Sequence, residues 1–128
     1  MATKKITFDP DSGVPSGINL TMYGGSDFNV NFDIVTTSNS AYDLTGYSGS
    51  AAMSKSVAIG ATLGITSSFT VGFTSAYDGK LKISLNETNT RATKEGRYVF
   101  DILVGKGGTT YALASGNILV VNPVASAI

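Results

Sequence analysis

The stretch Asp27 to Val35 reads DFNVNFDIV. Phe28, Val30, Phe32 and Ile34 fall on one side of an extended chain, and Asn29, Asn31 and Asp33 fall on the other, because successive strand side chains point to opposite faces. A helix would split the four apolar residues between opposite sides of its circumference. Strict alternation over this length predicts a half-buried β-strand. The same period recurs in SSFTVGFTSA through Phe69, Val71 and Phe73, and in KLKISL through Leu81, Ile83 and Leu85. GRYVFDILV, Gly96 to Val104, is apolar on both faces apart from Asp101, which predicts a central strand. TTYALAS and NILVVN follow, broken by Gly116, while KKITFD and INLTM precede as weaker strand signals.

Turn chemistry separates these runs. Asp78-Gly79 stands between two alternating segments, a strong hairpin signal, and GKGG (105–108) joins two more. Only NETNTRATKEG, Asn86 to Gly96, has helical character, and it lacks the apolar stripe of a packed helix. The Ala, Gly and Ser of SKSVAIGATLGITS (54–67) predict an exposed connection. Many short strands spaced by turns predict an all-β sandwich or barrel. The expected core holds Phe28, Val30, Phe32, Ile34, Leu81, Ile83, Tyr98, Phe100 and Ile102.

Composition limits the chemistry. The 128 residues fit one domain, with 42% hydrophobic and 14% charged residues. The nine basic residues match the nine acidic ones, so neither nucleic acid nor an anionic membrane finds a basic face; a protein surface is the expected partner. No apolar run approaches the roughly 20 residues of a membrane span. MATKKITFDPD puts polar residues where a signal peptide has its apolar centre, which predicts a soluble chain without such a signal. The absence of His and Cys removes the usual general base, the thiolate nucleophile and the commonest metal ligands. No catalytic, cofactor or metal site is expected. Asp27 and Asp33 could share a sheet edge, but a solvated strand face accounts for both. DPDSG (9–13) lacks the further oxygen ligands of a calcium loop. GKGGTT around Lys106 has neither the first Gly nor the Ser/Thr of a phosphate loop, and reads as a hairpin tip.

Several residues have expected structural roles. Tyr98 opens the central strand after a Gly, as a tyrosine-corner residue does at a bend between sheets. Asp101 interrupts an apolar strand and needs solvent or a cation; Lys55, interrupting a neighbouring run, is its expected partner across the sheet. Tyr23, Tyr42, Tyr47 and Tyr77 lie in or near turns, where they close the ends of the fold with wet hydroxyls or form a carbohydrate platform.

Four segments in order carry a family resemblance: GSDFNVNFDI, YDLTGYSGSAAMSKS, KLKISLNETNTRATKEGRYVFDILV and GNILVVNPV. From about Ile18 to Val124 the chain resembles the small immunoglobulin-like domains of tailed-bacteriophage virion proteins. It is most similar to those of marine and cyanobacterial myoviruses, and more distantly to the N-terminal domain of upper baseplate proteins in phages of Gram-positive hosts. The resemblance implies an immunoglobulin-like antiparallel β-sandwich of seven to nine strands over 18–128, preceded by an N-terminal arm or edge strand over 1–17. Within DLTGY, Leu44 is buried as the chain turns, with Tyr47 beside it, and Pro123 stops the last strand. The upper baseplate proteins continue into a second module that this chain, ending at Ile128, does not include.

The implied function is a non-enzymatic virion structural protein, located in the virion and bound to other virion proteins, with homo-oligomerisation a further expectation. Capsid decoration or cement stands ahead of a tail or baseplate position, and a host-glycan binding module is the alternative class. Pro10, Gly13, Pro15 and Gly17 give the first 17 residues an irregular, extended character. Ile6 and Phe8 are the expected docking residues, adding a strand to a neighbouring subunit; the alternative makes KKITF the first strand of its own domain.

Overall fold

A computed structural model describes residues 3–10, 15–55 and 67–121. The described residues form eight strands: β1 (Thr3–Thr7), β2 (Ser16–Tyr23), β3 (Phe28–Val35), β4 (Ser48–Lys55), β5 (Ser67–Ser75), β6 (Lys80–Leu85), β7 (Gly96–Lys106) and β8 (Thr109–Val121). A 3-10 turn, Ala76–Asp78, links β5 to β6, and one short helix, α1 (Glu87–Ala92), links β6 to β7. Most of the connection expected over 54–67, the DPDSG loop beyond Pro10 and the Pro123 stop lie outside the described residues.

The chain is all-β, and its strands join in one sheet of order β1-β3-β6-β5-β4-β7-β8-β2. The expectation of two separate antiparallel sheets meets a different arrangement. β1 runs parallel to β3, β2 runs parallel to β8, and the remaining pairs are antiparallel, so the sheet is mixed. β5 makes it continuous: Ser67 to Phe69 pair with β4, whereas Thr70 onward pairs with β6. The sheet curls into a nearly closed barrel whose end strands are β1 and β2.

The period-two pattern places the core. Phe28, Val30, Phe32, Ile34, Leu81, Ile83, Tyr98, Phe100 and Ile102 are all buried, together with Leu44, Met53, Leu113 and Ile118. β8 needs 13 residues to curve from its hairpin with β7 to its pairing with β2. Gly116 permits that curve. It is paired with Ile18, and a Cβ at 116 would run into the Ile18 carbonyl. At the other end of β7 and β8, Gly107 and Gly108, at φ +61 and +84, make the tight hairpin turn read from GKGG.

The N-terminal segment takes the second of its two expected arrangements, a strand of its own domain. Ile6 and Phe8 are 1% and 5% exposed and belong to the chain's own core, where β1 pairs with Asn31 to Val35. Thr3–Thr7 is therefore an edge strand of this barrel. Burial here leaves neither Ile6 nor Phe8 for a neighbouring subunit, because their apolar surface is already removed from water.

Phe32 is 1% exposed at the centre of this interior. Phe32→Ala is expected to cost about 3–5 kcal/mol, a large share of the roughly 5–15 kcal/mol that holds a domain of this size. Urea unfolding followed by tyrosine fluorescence checks it.

Candidate docking seam

Strand direction sorts the tyrosines. β1, β3, β5 and β7 finish at one end of the barrel; β2, β4 and β6 finish at the other. At the first end Phe8 meets Tyr42 at a tilt of 50° with centroids 4.9 Å apart, and Tyr111 edge-on at 5.8 Å. Tyr42 and Tyr47 are edge-on at 6.2 Å, with hydroxyls 3.3 Å apart, and Lys106 Nζ lies 5.4 Å from the Tyr47 ring centre. This half-buried cluster plugs the end. Tyr23 and Tyr77 are exposed, but the first is at the end of β2 and the second in the β5–β6 turn, at opposite ends of the barrel. They do not make one carbohydrate platform.

Leu44 is fully buried where DLTGY turns into β4, and its N–H donates to the Ala76 carbonyl at 2.8 Å. Within the same turn Thr45 N–H donates to Asp43 Oδ1 at 2.9 Å. The Thr45 side chain, then its backbone N–H, hold the exposed Asp43 carboxyl below the usual aspartate range. At the second end Tyr98 is buried, its hydroxyl donates to the Lys94 carbonyl at 2.8 Å, and Lys55 Nζ stands 4.7 Å from its ring centre. That is tyrosine-corner geometry with a cation on the ring face.

The expected pairing of Lys55 with Asp101 is not formed. Lys55 lies opposite Tyr98, whereas Asp101 lies opposite Ala52, three rungs along the same ladder. Odd and even rungs face opposite sides of a strand. Lys55 therefore shares the inward side of Met53, and Asp101 points out, exposed to water. Nor do Asp27 and Asp33 form a carboxylate pair: Asp27 Oδ1 accepts from the Glu87 N–H at 2.9 Å, and Asp33 meets Lys80 Nζ at 2.8 Å. Among the described residues no group of His, Cys, Asp or Glu is arranged to hold a metal ion.

What the sequence did not single out is the gap between the two end strands. β1 and β2 are consecutive and antiparallel, yet each forms its ladder with another strand. The Ser16 hydroxyl donates to the Thr7 carbonyl at 3.3 Å across one end of the seam. Toward the other end the described β1 ladder ends with Thr3 opposite Asn31, and among the described residues no strand lies between Phe28 to Val30 of β3 and β2. A groove of about 420 Å³ lies there, lined by Lys4, Asn19 to Thr21, Tyr23 and Ser26 to Val30. Leu20, Phe28 and Val30, at 8%, 7% and 5% exposed, keep a little contact with water in it.

The turn at the top of the groove is clasped from outside. Thr90 of α1 is fully buried, and its hydroxyl donates to the Ser26 carbonyl at 2.8 Å while accepting from the Gly25 N–H at 3.0 Å. On the outer face beside the groove, Leu119 of β8 is 45% exposed between Thr21 and Arg97.

No family model matches the chain, and no curated protein matches it in sequence. Among solved structures it is similar to the N-terminal domain of phage TP901-1 ORF48, at 15% identity and a TM-score of 0.56, over 94% of this chain and 98% of that one. The fold is shared with a phage domain. A Bacillus anthracis str. Ames protein described as uncharacterized is 13% identical at a TM-score of 0.45, over 84% of this chain and 85% of that one. A family 123 glycoside hydrolase from Clostridium perfringens is 13% identical at a TM-score of 0.39, over 85% of this chain and 23% of the enzyme. At those scores neither bears on function.

Two side chains test the local reading. Tyr98→Phe removes the bond to Lys94 but keeps the ring under Lys55, and is expected to lower stability by about 0.5–1.5 kcal/mol, read as a shift of the urea midpoint at constant slope. For Asp43, hydrogen bonds that favour the carboxylate in the folded state lower its folded pKa. Its stabilisation is then present above the unfolded-state value and lost as pH falls through the folded one. An NMR titration of the Asp43 carboxyl carbon should show the lowered value, and Thr45→Val should move it back up.

Proposed function

We propose that this protein is a non-enzymatic structural component of a tailed-bacteriophage particle, bound in the tail or baseplate to other virion proteins. The observation that carries the proposal is the fold shared along nearly the whole chain with the N-terminal domain of phage TP901-1 ORF48. The motifs EGRYVFDILV and GNILVVNP support it from the sequence, and through them the proposal extends to kinship with the small immunoglobulin-like virion domains of myoviruses. The molecule offers exposed side chains for docking, Tyr23, Leu119 and Arg97, residue types of which Tyr and Arg are enriched among binding hot spots.

Capsid decoration is the second reading, favoured by a sequence without net charge. Copy number separates the two. Quantitative mass spectrometry of purified particles should find the protein at the copy number of the tail's rotational symmetry. A count on the scale of the capsid lattice would move it to the head, and absence from particles would sink both readings.

A further inference from the structure

We propose that the outer face of β4, β7, β8 and β2 is a contact surface for a second copy of this chain, which lies on it with the two β7 strands antiparallel and the partner's Asp101 against Arg97. The dimer is a property of the free protein and does not depend on the particle role.

Register places the residues. The odd residues of β7 point outward, and the ladders carry that side across β8 and β2. Arg97, Leu119 and Thr21 form one row across the three strands. Val99, Asn117 and Asn19 form the next, and Asp101, Ser115 and Gly17 the third. All nine are exposed or half-buried. On the far side of β7, Ser54 and Ala52 of β4 continue the second and third rows.

This face carries little charge. Among the described residues, Arg97 and Asp101 are the only charged side chains that these four strands turn outward. Depletion of charge distinguishes the centre of a protein interface from ordinary surface. The other half of the sheet turns Lys5, Lys80 and Lys82 outward with Asp33, a net positive face that repels its own copy.

The placing of the two charges selects the occupant. Val99 stands midway between them on β7, so a two-fold axis crossing the strand there brings Arg97 to the partner's Asp101 and Asp101 to the partner's Arg97. Within one chain they lie about 13 Å apart along the strand, out of reach of each other. The ion pairs among the described residues, Lys80 with Asp33 and Arg91 with Glu87, include neither. Shape agrees with charge. The same rotation lays Leu119, which is 45% exposed, over the partner's Ser115 and the partner's Gly17, which are small enough to receive it. The middle row meets itself, Val99 on Val99, with the linked amides of Asn117 and Asn19 offering both donors and acceptors across the contact.

Size sets the strength. Strands about 4.8 Å apart and rows about 6.8 Å apart give this face roughly 400–600 Å² per copy. That is below the roughly 800 Å² of a standard interface, so the dimer is weak and forms at high protein concentration. Outward charges also serve solubility alone, and under that reading the protein stays monomeric.

Sedimentation equilibrium over micromolar to millimolar protein reads the association, and charge reversal reads its geometry. R97D leaves β7 with two outward carboxylates, and D101R leaves it with two guanidinium groups. Each alone should weaken self-association at least about tenfold, because like charges then face each other at both contacts. An equimolar mixture of the two variants should associate as tightly as the unaltered protein, and so should the double variant R97D/D101R. A circular-dichroism melt establishes that each variant folds. The neutral R97Q and D101N, each expected to weaken association by a smaller factor, carry the test if a reversal disturbs the fold. A monomer at every concentration overturns the proposal. So does self-association that neither reversal weakens, which would put the second copy on another surface. Single reversals that weaken association without recovery in the mixture remove the pairing of Arg97 with Asp101, and the proposal with it.

Discussion

One interior has to be filled by the inward-facing side chains of one continuous sheet, and the rest of the structure answers that requirement. Each strand sends alternate residues inward, so the sheet must curl until those residues meet one another rather than water. β5 carries the curl by changing partners midway, from β4 to β6. β8 carries it through Gly116, where the Ile18 carbonyl comes too close to admit a side chain. A register shift between Ile102 and Leu103 accommodates the same bend in β7. The two open ends then need plugs. Phe8, Tyr42, Tyr47 and Tyr111 close one, and the helix with its buried Thr90, together with Tyr98, closes the other.

The seam is a consequence of how the curl ends. β1 and β2 follow one another in the chain, and an antiparallel hairpin between them would have closed the barrel. Instead β1 sides with β3 and β2 with β8, both in parallel. The two end strands then face each other with their outer backbone groups in hand. Leu20, Phe28 and Val30 are nevertheless buried beneath the groove. The aromatic plug lies near the end where Ser16 meets Thr7, so the gap widens toward the helix end.

Much of this was legible in the sequence, and for a local reason. Period-two alternation is a property of neighbouring residues, so DFNVNFDIV, KLKISL and GRYVFDILV state both that they are strands and which side is buried; Phe32, Ile83 and Phe100 are in the core accordingly. Turn chemistry is equally local, and the tight turn at Gly107-Gly108 follows from it. The phenol of Tyr98 reaching back to Lys94 spans only a bend. What only the tertiary structure decided is which edges meet. Alternation does not say whether β1 lies against its own domain or a neighbour's, and it is the pairing with Asn31 to Val35 that buries Ile6 and Phe8. Lys55 and Asp101 each interrupt an apolar run, yet the β4–β7 register puts them on opposite faces, and register is set by contacts far apart in sequence. The seam has no sequence signature at all, because it is built from two strands that do not pair. Local pattern fixes each strand's inner face, and the cost of leaving backbone and apolar surface unpaired, summed over the whole sheet, chooses its neighbours.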